Sequence, residues 1–231
     1  AVAALLWSSS RSAANQDVLT RLAVLPPPGA DLYPDSTGVA ISPDGTMVAF
    51  VVGNYHTPTA LWVRSLDSLT AHPLEGTDGA QLPFWSPDST RIGFFAPNKL
   101  KAVAVTGGRA ETICNLPAPV GRGASWSASD VIVFAMATDQ PLYRVSANRG
   151  EPTPVTTIDT TRKQSGHRFP VFLPDGTHFL YTALPQGSDG KFSIFAGDLS
   201  GGPSTIVAAL ESGPVYADPG WLLYARQGVL A

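Results

Sequence analysis

Hydrophobic residues in this chain gather in short runs separated by clusters of Gly, Pro, Ser and Asp. The most apolar runs are Met47-Val48-Ala49-Phe50-Val51-Val52, Ile92-Gly93-Phe94-Phe95-Ala96, Val131-Ile132-Val133-Phe134-Ala135, Phe179-Leu180-Tyr181 and Trp221-Leu222-Leu223-Tyr224. Runs this short, bounded by turn residues, predict β-strands buried on both faces. A second set mixes apolar and polar positions: Leu61-Trp62-Val63-Arg64, Leu100-Lys101-Ala102-Val103, Leu142-Tyr143-Arg144-Val145 and Ser193-Ile194-Phe195-Ala196. These predict strands with one face less enclosed. A third, weaker set follows at Ala71-His72-Pro73-Leu74, Ala110-Glu111-Thr112-Ile113, Pro154-Val155-Thr156 and Thr205-Ile206-Val207. Pro is tolerated there if those strands are edges. No amphipathic helical pattern of useful length occurs.

Each apolar run follows a turn motif, and the motif returns five times. It reads Ile41-Ser42-Pro43-Asp44-Gly45, Trp85-Ser86-Pro87-Asp88-Ser89, Trp126-Ser127-Ala128-Ser129-Asp130, Phe172-Leu173-Pro174-Asp175-Gly176 and Tyr216-Ala217-Asp218-Pro219-Gly220. The aspartates are 44, 42, 45 and 43 residues apart. A fixed period of that size predicts one supersecondary unit repeated around an array, as in four-stranded propeller blades. Pro suits the second position of a type I turn and Gly the last. The recurring Asp44, Asp88, Asp130, Asp175 and Asp218 are read as turn formers that bond their own backbone, rather than as acid–base residues. The fold class expected is all-β, a partial β-propeller of four-stranded antiparallel blades with about four and a half blades present. Trp62, Trp85, Trp126 and Trp221 recur at blade positions and are expected in the inter-blade core. Leu22-Ala23-Val24-Leu25 reads as a lone strand ended by Pro26-Pro27-Pro28.

Composition narrows the partners. The chain has 231 residues, 44% of them hydrophobic, enough for a sizeable core. Net charge is −3 with charged residues at only 14%, and no basic stripe stands out, so nucleic acid is not an expected partner. Cys114 is the single cysteine, in the apolar run Thr112-Ile113-Cys114, and reads as a small buried hydrophobe. The apolar start Ala1-Val2-Ala3-Ala4-Leu5-Leu6-Trp7 is too short to span a bilayer, which needs about 20 residues. Two readings stay open for it, the end of a transmembrane helix or a disordered or loosely packed end, and Gly228-Val229-Leu230-Ala231 stops inside an expected strand. The chain is therefore expected to be a fragment of a longer polypeptide.

The repeat resembles the WD40-like Pro-Asp repeats of TolB-type propellers. The carriers are Trp85-Ser86-Pro87-Asp88 with Arg91-Ile92-Gly93-Phe94, and Ile41-Ser42-Pro43-Asp44-Gly45 with Val48-Ala49-Phe50. The linking segments Leu61-Trp62-Val63-Arg64-Ser65-Leu66-Asp67, Pro73-Leu74-Glu75-Gly76-Thr77, Gly121-Arg122-Gly123, Gly150-Glu151-Pro152-Thr153-Pro154 and His167-Arg168-Phe169-Pro170 resemble one setting of that repeat. It is the C-terminal half of bacterial membrane-anchored Ser/Thr protein kinases of eukaryotic type. The resemblance implies three stretches: 1–16, the end of a transmembrane helix and a linker; 17–36, an N-terminal strand and lead-in; and 37–231, the WD40-like propeller. It implies an extracytoplasmic location, anchored to a bacterial membrane by an upstream helix.

Catalytic motifs are missing from the sequence. There is no Gly-x-Gly-x-x-Gly loop, no His-Arg-Asp or Asp-Phe-Gly, and no Gly-x-Ser-x-Gly elbow. His56, His72, His167 and His178 are scattered without zinc spacing, so no metal and no cofactor is expected. One constellation suits a ligand. The loops leading into the innermost strands carry Gln81, Arg122, His167 and Arg168, which would meet at a mouth of the central channel. Arginine presents a planar fork to carboxylate or phosphate, so an anionic or polar ligand fits there. The structural alternative is that these residues bond neighbouring blades and loops.

The expected function is a non-catalytic sensor, scaffold or protein-interaction propeller, tethered to a kinase and binding a protein or small polar ligand at its face. The alternatives are the propeller domain of a prolyl-oligopeptidase-type serine peptidase and a free periplasmic TolB-like binding protein.

Overall fold

Strands follow one another in a simple up-and-down order, and each set of four forms its own antiparallel sheet. A computed structural model describes residues 23–32, 38–54, 56–118, 121–187, 192–210, 215–217, 221–226 and 229–230. Blade A holds β1 (Val39–Ile41), β2 (Met47–Asn54), β3 (Thr57–Ser65) and β4 (His72–Pro73). Blade B holds β5 (Gln81–Trp85), β6 (Arg91–Ala96), β7 (Lys99–Ala104) and β8 (Glu111–Asn115). Blade C holds β9 (Ala124–Trp126), β10 (Val131–Ala135), β11 (Leu142–Ser146) and β12 (Thr153–Pro154). Blade D holds β13 (Gln164–Phe172), β14 (His178–Pro185), β15 (Phe192–Asp198) and β16 (Thr205–Leu210). A fifth unit begins with the pair β17 (Val215–Ala217) and β18 (Trp221–Leu223), followed by the short hairpin β19 (Ala225–Arg226) and β20 (Val229–Leu230). The first strands β1, β5, β9 and β13 adjoin in sequence, so each blade meets the next along its innermost strand.

The second strand of every complete blade is enclosed on both faces. Its alternation feeds two different cores. In β2, Ala49 and Val51 pack into blade B, whereas Val48, Phe50 and Val52 face the other way. In β10, Ile132 and Phe134 pack toward blade B, and Val133 and Ala135 toward blade D. This double enclosure is why these runs are continuously apolar. The outermost strands β4 and β12 carry Pro73 and Pro154, opposite Trp62 and Tyr143, where no further strand needs the missing N–H.

The turn between the first and second strands is one device executed with different residues. A left-handed residue donates its N–H back to the carbonyl three before it: Gly45 to Ser42, Ser89 to Ser86, Asp130 to Ser127 and Gly176 to Leu173. The motif serine donates its hydroxyl to the aspartate, Ser42 to Asp44 at 2.5 Å and Ser86 to Asp88 at 2.6 Å. The same Oγ accepts the N–H of Met47 and of Arg91. These hydroxyl bonds are the main reason both carboxyls lie below the usual aspartate range.

Blade C departs from the sequence expectation. Its turn is one residue shorter, so Ser129 stands where Asp88 stands in blade B and Asp130 fills the left-handed position of Ser89. Ser127 and Ser129 pair their hydroxyls at 2.8 Å, and Asp130 accepts the Trp126 indole N–H at 3.2 Å instead of bonding its own backbone. Asp218 and its turn lie outside the described residues.

Two further expectations are corrected. Residues 23–25 form no strand. They run as an extended cover over blade A, where Val24 and Leu32 pack on Phe50 and Arg64 Nη1 donates to the Ala23 carbonyl at 3.2 Å. Trp85 and Trp126 are buried in inter-blade cores and Trp62 packs partly buried on blade A, but Trp221 is 67% exposed. The apolar start at Ala1 lies outside the described residues. Among the described residues no helix is long and apolar enough to cross a membrane.

Candidate arginine site beside the inner strands

The innermost strands share a feature one step before the first apolar pair. Gln81, Arg122 and Arg168 each stand four residues before the aromatic residue of the inner strand, Trp85, Trp126 and Phe172. The next residue in each case has left-handed φ: Leu82 at 51°, Gly123 at 93° and Phe169 at 51°. In β5 and β13 this residue sits inside a β-bulge, between Gln81 and Phe84 and between Arg168 and Val171. Bulges re-aim side chains, and left-handed φ at leucine or phenylalanine is strained. A left-handed kink therefore follows this position in three consecutive blades, strained at Leu82 and Phe169 and carried by glycine at Gly123. The sequence reading missed it. The signal was Gln81-Leu82-Pro83 beside Arg168-Phe169-Pro170, with Gly123 at the matching place in the third copy.

The kink brings Arg122 and Arg168 together. Phe169 N–H donates to the Arg122 carbonyl at 2.9 Å, which ties β13 to the loop before β9. Burial holds the Arg168 guanidinium below its ordinary range, and the nearby Arg122 charge pushes the same way. Arg122 Nη1 donates only to the carbonyl of Gly121, at 2.9 Å. Arg168 Nε is buried without a partner, and so is the Oγ1 of Thr182. Thr182 is the direct cross-strand neighbour of Arg168, so the two share one face of the sheet. Among the described residues, neither arginine has a carboxylate within ion-pair distance. Gln81 occupies the equivalent place in blade B, half-buried and paired across the strands with Phe95.

His167 stands apart from this group. Strand alternation sends it to the opposite face from Arg168, into the seam between blades C and D, where it is fully buried. Gln164 Oε1 accepts the Asp159 N–H at 2.9 Å and lies 3.0 Å from His167 Nε2. That carbonyl oxygen fixes the proton on Nε2. Nδ1 then accepts from the Thr156 hydroxyl at 2.8 Å, whose oxygen in turn accepts the Leu142 N–H. The ring also packs 4.6 Å from Tyr181. Burial pushes its pKa down to about 4, so it is neutral near pH 7. Both nitrogens are consumed, which leaves His167 a seam residue with no atom offered to a ligand. Thr77 plays the Thr156 part in the seam of blades A and B, accepting from Leu61 N–H and donating to the Leu74 carbonyl.

Arg122 and Arg168 offer charge and hydrogen-bond donors. Among the described residues no group of three or more His, Cys, Asp and Glu is gathered as a metal would require.

No known family profile matches this sequence, and no curated protein sequence does. Solved structures do match. A protein of Agrobacterium tumefaciens described as a TolB superposes with a TM-score of 0.64 at 17% identity, over 76% of this chain and 66% of that one. TolB from Acinetobacter baumannii gives 0.63 at 20% identity, over 83% of this chain and 49% of that one. A puromycin-hydrolyzing peptidase of Mycobacterium tuberculosis gives 0.53 at 13% identity, over 74% of this chain but only 28% of that one. This chain thus spans from about half to two thirds of the two TolB chains. At these identities the likeness is one of fold: this chain folds as β-propeller blades, as those proteins do.

Proposed function

We propose that this propeller is a non-catalytic binding domain whose axis site, built on Arg122 and Arg168, receives an anionic or polar group of a protein or small ligand. One observation carries the reading. Two like charges are held side by side, with a buried donor on one of them and, among the described residues, no carboxylate within ion-pair distance of either. Such a pair is relieved by an anion, and the guanidinium fork suits carboxylate or phosphate. Gln81, at the equivalent place one blade away, supplies a neutral amide to the same rim.

In its fuller form the reading places the propeller outside a bacterial membrane, as the sensor or scaffold of a Ser/Thr kinase. The linking segments support this, as does the apolar start, with 1–16 and 17–36 leading into the propeller of 37–231. A second reading, the propeller domain of a serine peptidase, is favoured by the likeness to the mycobacterial peptidase. Reading the gene outward decides between them: a kinase catalytic loop upstream supports the first, and a serine hydrolase domain downstream supports the second. The binding site itself is tested by selecting peptides from a random display library. Enrichment of acidic sequences by the native chain, lost in the Arg122→Gln, Arg168→Gln double variant, supports the axis site. Absence of enrichment, or enrichment that survives the double variant, removes it.

A further inference from the structure

A second positively charged place lies away from Arg122 and Arg168, in a cleft of about 310 Å³ between blades B and C. We infer that this cleft is a binding site for a dianionic oxyanion group, a phosphate monoester or a sulfate. Three arginines from separate elements wall it. Arg91 comes from the start of β6, Arg109 from the β7–β8 turn and Arg149 from the β11–β12 turn, with the Asn148 amide beside them. Glu111 is the one carboxylate in the wall, so two positive charges remain in excess. That local excess stands in a chain whose net charge is −3.

The arginines are not explained by the repeat. Positions equivalent to Arg91, at the start of the second strand, hold Met47, Val131 and His178 in the other blades, so the turn does not need a cation there. Arg91 is nonetheless pre-set, its guanidinium lying 5.0 Å from the centroid of the Trp126 ring of the next blade. Stacking of this kind fixes the fork and leaves its edge donors free. Arg149 is held at φ 82°, a strained backbone for a side-chain-bearing residue. Its pairing with Glu111 is loose, 3.5 Å with both side chains more than half exposed, and such a pair contributes little. No carboxylate within ion-pair distance answers Arg91 or Arg109 among the described residues. Charges gathered by two blades and left in excess by two match a group carrying two negative charges.

The test is calorimetric titration of the purified chain with inorganic phosphate, and separately with sulfate, at low salt. A saturable component that survives in the Arg122→Gln, Arg168→Gln variant is expected. Arg109→Gln and Arg149→Gln, both exposed and fold-neutral, should each weaken it about tenfold. Glu111→Gln should tighten it by removing the opposing carboxylate. Lys99→Gln removes the same charge at the far end of the β6–β7 hairpin and should leave it unchanged, as should the Arg122→Gln, Arg168→Gln variant. Saturation by both anions supports an oxyanion site of either kind, and saturation by phosphate alone assigns it to phosphate monoesters. No saturable binding, binding indifferent to Arg109 and Arg149, or an equal loss in Lys99→Gln overturns the inference. Loss only in the Arg122, Arg168 variant moves the anion to the axis and overturns it too.

Discussion

The N–H of Phe169 donates to the carbonyl of Arg122 at 2.9 Å, and that bond ties β13 of blade D to the loop that leads into β9 of blade C. The approach is possible because Gly123 follows Arg122. Its φ is +93°, and a Cβ there would stand 2.9 Å from the Phe169 ring and 3.0 Å from the Phe169 backbone. Gly123→Ala should therefore strain its own backbone and pry β9 from β13. A loss of about 1–3 kcal/mol in urea unfolding is expected. An unchanged midpoint would mean that the contact yields at no cost.

The hydroxyl at the motif turn is the next place to test. Ser86 is buried, and its Oγ both donates to Asp88 and accepts the Arg91 N–H. Ser86→Ala leaves that N–H and the Asp88 oxygen without this partner, at an expected cost of about 1–2 kcal/mol. Blade D shows how the turn manages otherwise. Leu173 replaces the serine there, and Asp175 Oδ1 accepts the His178 N–H directly at 2.8 Å. Leu173 also packs against Leu180 and Ile194, so Leu173→Ser should cost about 1–2 kcal/mol through that packing while leaving the turn bonds intact, and urea unfolding of the two variants together checks the argument.

The contrast between these turns shows what the chain's letters reveal. Strand positions were legible because double enclosure writes itself as an unbroken apolar run, as at Val131 to Ala135. The turn period was legible because Pro, Asp and Gly have few other reasons to recur together. The seam was not. Arg168 and His167 are neighbours in sequence and both polar, yet alternation sends one to the arginine pair and the other into a closed network with Thr156 and Gln164. Nothing local distinguishes them, since the deciding partner Thr156 belongs to the previous blade. The left-handed kink at Leu82 and Phe169 was hidden for a related reason: neither residue type favours it, and only the packing of the inner strands imposes it. Asp130 misled for the opposite reason, since it looked like its aligned counterparts while a one-residue deletion moved it along the turn.

Cys114 offers a check on the core of blades B and C. The thiol is buried, and burial, then the Glu151 charge, pushes its pKa up to about 12. The thiolate is the reactive form, so the native protein should resist alkylation by iodoacetamide at pH 8. Mass spectrometry should find the adduct only after unfolding in urea. Prompt alkylation of the native chain would mean that the seam around Cys114 and Ile113 opens readily.

The pH dependence of stability should single out His167. Its pKa is about 4 in the fold against 6.5 when unfolded. Between these values the unfolded chain takes up a proton that the folded chain refuses, so acidification favours unfolding. The stability is fully present above about pH 6.5 and is lost as pH falls toward 4. The loss is on the order of 3 kcal/mol, since each pH unit of separation is worth about 1.4. The turn aspartates act elsewhere. Asp44, Asp88 and Asp175 have folded pKa values below the ordinary 3.8, so their contribution is retained above that value and lost only in stronger acid. Between pH 6.5 and 5 the slope of urea stability against pH therefore reports the seam histidine largely free of those carboxylates. His167→Gln cannot titrate and should flatten that slope, whatever it costs at pH 7.5. A native slope already flat over this window, or one that persists in His167→Gln, would mean that the Thr156–His167–Gln164 network admits a proton without unfolding.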